Sequence, residues 1–149
     1  MTDLPIEEAP TLLADERVAD ALPTLLASGF PALPVVDADG GLVGLFGERE
    51  FMAALFPGYV GELHYAGFVP AELDEALEKR ATCAGEPISQ HMNPEAVSVD
   101  EGFSDVGLAE VFLHHRVLVA PVVRDNRPLG VITRETFFRR LAERFLDRS

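Results

Sequence analysis

Thr133 and Thr136 stand where an apolar run, Leu129 to Ile132, gives way to a helical pattern. A helix start leaves backbone amides unpaired, so an anion finds donors there. The Thr133 hydroxyl can add a donor to a phosphate oxygen. The same hydroxyl can instead serve as an N-cap, accepting from an amide of the first turn. Earlier in the chain Gly47 takes the equivalent place, and Glu50 follows at the same offset as Thr136. Glu50 reads as half of a capping box, reaching back to the helix start. Arg116, Arg124 and Arg134 are the candidate phosphate partners, since a guanidinium pairs with phosphate oxygens in a fork. Other reactive types lack a setting. His114 and His115 are adjacent, so on a helix they diverge by about 100°. His64 and His91 have no ligand spacing near them. Cys83 stands alone, without a motif, and suits a small buried hydrophobe. There is no nucleophile elbow and no phosphate-binding glycine pattern. The expectation is binding, with no catalytic residue and no metal site.

Two matched segments must position these residues. Ala120 to Phe137 reads APVVRDNRPLGVITRETF. Val122 and Val123 form a β-branched run, Asp125 and Asn126 a tight turn, and Leu129 to Ile132 a second run, which together predict a hairpin. Phe137, Leu141 and Phe145 then recur every fourth residue, one face of a helix. Leu33 to Phe51 repeats the pattern. Pro34-Val35-Val36 matches Pro121-Val122-Val123, Gly44 matches Gly130, and Phe51 matches Phe137. A duplication of about 50–60 residues predicts two copies of one unit. Each copy is too small to bury a good core alone, so the copies pack together.

Helix, then h-P-V-V, then a turn, then G-h-h-T-x-x-polar, present twice, resembles a tandem CBS-domain pair. The resemblance covers repeat 1 at 8–56 and repeat 2 at 92–147, with an inter-repeat segment at 57–91. It implies an α/β fold of two pseudo-symmetric β-α-β-β-α units packed through their sheets. It also implies a non-enzymatic regulatory or sensor module, binding an adenine nucleotide or related adenosyl ligand in the cleft between the repeats. The ligand class is AMP, ADP, ATP or S-adenosylmethionine, and no resident cofactor is implied. By this analogy Val97 and Ser98, with Ala120, Pro121 and Val122, line the adenine pocket. Thr136 and Glu50 take the place where the family has an Asp holding the ribose. The first repeat lacks the Thr and the second the Asp. The alternative is therefore a ligand-free dimerisation or protein-interaction module.

In the first repeat, Thr11 to Ala14 suits a short strand and Asp15 an N-cap. Val18 to Leu26 follows helical spacing, with a kink expected at Pro23 or a start near Leu22. Gly29 ends the helix. Ala32 to Asp37 and Leu42 to Phe46 should pair, followed by a helix to Phe56. Exposed-looking aromatics run from Tyr59 to Phe68, and Pro70 opens a helix near 70–82. That helix is expected to pack back over the repeats. In the second repeat, Val97 to Val99 leads in. The helix from Phe103 to His115 is apolar on more than one stripe, so it should be buried on more than one side. With the resemblance, this predicts a homodimer.

Of 149 residues, 48% are hydrophobic and 25% charged, which suits a soluble globular chain. The net charge is −13 and uneven: the first 75 residues carry 14 Asp and Glu against 2 Arg. The remainder is almost balanced, so the second repeat is the better host for a phosphorylated ligand. Acidity argues against nucleic acid as a partner. No apolar run approaches a membrane span, and the start lacks the pattern of a signal peptide. A cytoplasmic location fits.

Overall fold

The computed structural model describes residues 6–56, 73–95 and 97–148. The aromatics between Tyr59 and Phe68, and Pro70, lie outside the described residues. Among the described residues the element order is β1 (Leu12–Leu13), α1 (Val18–Ser28), β2 (Ala32–Val36), β3 (Leu42–Gly47), α2 (Glu48–Leu55) and α3 (Leu73–Lys79). Two 3-10 turns, Ala81–Gly85 and Ile88–Gln90, follow. Then come β4 (Val99–Asp100), α4 (Asp105–His115), β5 (Val119–Arg124), β6 (Arg127–Thr133) and α5 (Arg134–Asp147).

The strands form two sheets of the same plan, β1-β2-β3 and β4-β5-β6. In each, the first pair is parallel and the second antiparallel, with a register shift at Val35/Val36 and again at Val122/Val123. Each repeat is thus one β-α-β-β-α unit, as the matched sequences predict. Pro34 and Pro121 sit in middle strands, an unusual place for a residue with no N–H. The pairing explains it. β1 and β4 pair only with residues 35–36 and 122–123, so each proline lies on a stretch they leave uncovered. The second hairpin closes through Asp125 and Asn126, at φ 52° and 64°. Two consecutive left-handed residues mark the turn whose twist suits a hairpin, and Asn and Asp tolerate it best.

Each repeat has its own core. Leu12, Val18, Leu25, Leu33, Val35 and Phe46 anchor the first, and Leu108, Phe112, Ala120, Val122, Ile132 and Phe137 the second. Cys83 and Ile88 of the inter-repeat segment belong to the first core. The described end of the segment therefore packs on repeat 1.

The repeats are tied by crossed strands. Glu7, ahead of repeat 1, exchanges both backbone hydrogen bonds with Val131 of β6, at 2.9 Å each. Asn93, ahead of repeat 2, does the same with Leu45 of β3, at 2.8 and 3.0 Å. These crossings explain the matched glycines. A Cβ at Gly130 would lie 2.5 Å from the Glu7 carbonyl oxygen, and one at Gly44 2.8 Å from that of Asn93. At the other end of the hairpins, Asn126 accepts from the Leu42 amide at 2.8 Å.

Several local expectations are corrected. Helix α1 begins at Val18 and continues through Pro23. Its N-cap is Arg17, not Asp15, and Arg17 makes no side-chain cap bond. The carbonyl of Glu86 accepts from the Val18 amide instead, at 2.9 Å. A cap supplied from 68 positions away leaves no local signature. The lead strand of repeat 2 is Val99–Asp100, later than Val97. Helix α4 starts at Asp105 behind Ser104, whose hydroxyl accepts from Gly107 N at 3.0 Å. Its two apolar stripes part company: Leu108 and Phe112 are buried, while Val106 and Leu113 are 80% and 78% exposed. On α5 only Phe137 of the predicted stripe is buried, with Leu141 and Phe145 exposed.

Candidate functional site

The strand-to-helix turns at the ends of β3 and β6 place the candidate residues. In repeat 1, Glu50 accepts from the Gly47 amide at 2.9 Å, so it caps α2 as half of a capping box. Burial is the main cause that raises its carboxyl above the usual range. In repeat 2, Thr133 is the N-cap of α5, its oxygen accepting from the Thr136 amide at 3.1 Å. Thr133 donates to the Thr136 oxygen at 2.9 Å, and Thr136 in turn reaches Glu7 Oε2 at 3.4 Å. The hydroxyl pair expected to face a phosphate therefore adjoins a carboxylate.

Between the repeats lies a cavity of about 600 Å³. Repeat 1 contributes Pro31, Ala32, Leu45, Glu48, Arg49, Glu50 and Ala53 to its wall. Repeat 2 and its lead-in contribute His91, Asn93, the run His115 to Val119, and Arg134. Its size is that of a small-molecule site. Arg49, Arg116 and Arg134 outnumber Glu48 and Glu50 there, in a chain whose net charge is −13.

Arg116 ends α4 in the left-handed conformation, φ 53°. The matching residue at the end of α1 is Gly29, φ 76°. Glycine holds that conformation freely, whereas a residue with a Cβ pays roughly 1 kcal/mol. The arginine thus occupies a position that favours glycine, at the wall of the cavity.

The expected site residues fall into two sets. Glu50, Arg116 and Arg134 line the inter-repeat cavity. Thr133 and Thr136 stand beside Glu7. Ala120, Pro121 and Val122 are buried within β5, opposite Ile132, Val131 and Gly130. Val97 and Ser98 are half-buried just ahead of β4. Arg124 is engaged elsewhere: its guanidinium grips Glu101 in a fork at 2.7 and 2.6 Å. That hydrogen bonding holds the Glu101 carboxyl below its usual range. Sequence spacing gave no reason to include Asn93 and His91. Only the crossing of Asn93 onto Leu45 carries them to the cavity.

The fold also assembles a group that the sequence left scattered. Donor atoms of Cys83, Glu86 and His91 all lie within 4.8 Å of one another. Burial, followed by the neighbouring Glu86 charge, pushes the Cys83 thiol up. It is therefore not a poised nucleophile.

Comparison with known proteins agrees with this geometry. The CBS domain family profile matches residues 1–57 and again 88–143. The chain belongs to the CBS-domain family. No curated protein sequence matches it significantly. Among solved structures, the CBS-domain containing protein ATU1752 of Agrobacterium tumefaciens is similar, with TM-score 0.65 and 23% identity over 89% of this chain and 84% of that one. The structure of CBSX2 in complex with AMP gives TM-score 0.66 and 21% identity over 93% and 92%. The CBS domain of a membrane protein from Sphaerobacter thermophilus gives TM-score 0.67 and 25% identity over 89% and 82%. These likenesses establish the tandem CBS fold. Among the described residues, no helix is long and apolar enough to cross a membrane.

Proposed function

We propose that this CBS pair is a non-enzymatic regulatory module that takes one adenine nucleotide, or a related adenosyl ligand, in the inter-repeat cavity. The observation that carries the reading is Arg116, held left-handed at the cavity wall where repeat 1 uses Gly29. Arg116 and Arg134 are the phosphate partners, and Glu50 is the acceptor for a ribose hydroxyl. The AMP complex of CBSX2, a protein of the same fold, supports the ligand class. The symmetry-related position at Thr133 and Thr136, with Val97, Ser98, Ala120, Pro121 and Val122, is the weaker host. Glu7 already brings a carboxylate there, and like charges repel.

A second reading has its own observation. Leu113, Phe138 and Leu141 are exposed along a groove between α4 and α5. This supports a homodimer formed through these helices, whether or not a ligand binds. Calorimetric titration with AMP, ADP, ATP and S-adenosylmethionine separates the two. The ligand reading expects one equivalent bound per chain and weaker binding by Arg134→Ala. No heat with any of the four would leave the dimerisation module standing.

A further inference from the structure

Cys83 and Glu86 come from the first 3-10 turn of the inter-repeat segment and its end, and His91 from the end of the second, the last residue of that segment. One ring nitrogen of His91, Nε2, faces both partners: Glu86 Oε1 at 2.8 Å and Cys83 Sγ at 3.7 Å. We propose that these three side chains form a binding site for a zinc ion, with the fourth position left to water.

The donor set selects the metal. A thiolate, an imidazole and one carboxylate suit a borderline-soft cation of tetrahedral habit, whereas magnesium and calcium need oxygen donors. The spacing fits as well. Metal bonds of about 2.3 Å to sulfur and about 2.0–2.1 Å to nitrogen, at a tetrahedral angle, put sulfur and nitrogen about 3.6 Å apart. The observed separation is 3.7 Å. The 2.8 Å pair of His91 and Glu86 must open by about 0.5–0.6 Å to the spacing of tetrahedral ligands, and the half-exposed Glu86 side chain is free to do so.

The backbone fixes all three ligands before any ion arrives. Glu86 N donates to the Cys83 carbonyl at 3.1 Å, and the Glu86 carbonyl caps α1 through Val18 N. Ile88 N donates to the Glu16 carbonyl at 2.8 Å, and His91 N to the Ile88 carbonyl at 2.9 Å. Sites held on such fixed turns lose little freedom on binding. Access graduates outward: Cys83 is buried, the His91 side chain is 14% exposed and that of Glu86 36%. Three protein ligands and a water-accessible fourth position follow from that gradient. An ion here would pin the two 3-10 turns of the inter-repeat segment to each other.

The test uses the whole chain, stripped of metal by a chelator and titrated with cobalt(II) and then zinc(II). One equivalent of cobalt should give a thiolate-to-metal charge-transfer band, which zinc abolishes by displacement. Cys83→Ser should lose the band. Glu86→Gln and His91→Ala should each weaken zinc binding by at least about tenfold, since even outer partners of a metal site are worth that much. Replacing His114 and His115 by Ala should leave zinc binding intact, which excludes the surface histidine pair. Absence of the band in the parent protein overturns the proposal, as does zinc affinity unchanged by Glu86→Gln. If Cys83→Ser does not fold by circular dichroism, the partly exposed Glu86→Gln decides alone.

Discussion

Gly29 and Arg116 hold the same left-handed turn at the ends of the two matched helices, at φ 76° and 53°. Only the second carries a Cβ, and with it a guanidinium at the inter-repeat cavity. Arg116→Gly should relieve the backbone. It is expected to leave stability unchanged or raise it by up to about 1 kcal/mol. The same change should weaken AMP binding by roughly tenfold to a hundredfold, the worth of a hydrogen bond to a charged group. Denaturant melts and calorimetry read the two effects separately. A variant that loses stability, or keeps full affinity, would remove Arg116 from the site.

Gly44 and Gly130 test the crossed strands. At Gly130 an added methyl meets the Glu7 carbonyl first; at Gly44 it meets the Met92 thioether at 2.7 Å and the Asn93 carbonyl at 2.8 Å, and the carbonyl cannot swing aside as the side chain can. Gly44→Ala and Gly130→Ala should each destabilise by about 1–3 kcal/mol, the ordinary cost of overpacking. Hydrogen exchange should locate the loosening at Asn93 and Leu45 in the first case, and at Glu7 and Val131 in the second. Loss spread evenly over the chain would argue against this account.

The repeats were legible because their signals are local. The short apolar runs of β2, β3, β5 and β6, the Asp125-Asn126 turn and the Gly29 stop each lie within a few residues. What failed to show depends on distant backbone. The Glu86 carbonyl caps α1, so Asp15 was a plausible but unused cap. Glu7 reaches Thr136 across 129 positions, so nothing near Thr133 announces a carboxylate. His91 and Asn93 join the cavity only through a strand crossing. The resemblance supplied the family and the cleft; the sorting of residues into its two halves needed the fold.

Glu50 gives a pH dependence with a definite sign. Burial is the first cause that raises its folded-state carboxyl above the usual range, opposed by its own and the Gly47 amide and by Arg49. A raised acid binds more protons folded than unfolded, so stability falls as pH rises through that window. The loss begins near the unfolded value and is complete above the folded one. Glu50→Gln keeps an acceptor for the Gly47 amide but cannot ionise. Urea melts from about pH 4 to 7 should therefore show a shallower fall in the variant. A steeper fall would mean that the carboxylate is stabilised in place.

The last prediction concerns the apolar surface of α4 and α5. Val106, Leu113, Phe138, Phe145 and Leu146 are 80%, 78%, 65%, 75% and 67% exposed. Leu113 and Phe138 also line, with Leu141, a groove whose volume is about 670 Å³. So much apolar area on two neighbouring helices exceeds the scattered exposure normal for a monomer surface. Charge is sparse on the Leu113 stripe of α4, while Arg139 and Arg144 are exposed elsewhere on α5. A second copy presenting the same face satisfies both, since a two-fold contact buries each patch against itself. A stable contact of that kind buries about 1,200–2,000 Å² in total. Sedimentation at micromolar concentration should give a dimer. Leu113→Glu should give a monomer, because one carboxylate per copy then meets its mate in a dry interface. Its melting temperature should become independent of protein concentration, unlike that of the parent. Leu26→Glu, on α1 and equally exposed at 81%, shows whether the interface extends to repeat 1. A parent protein that sediments as a monomer would leave this face uncovered and refute the dimer.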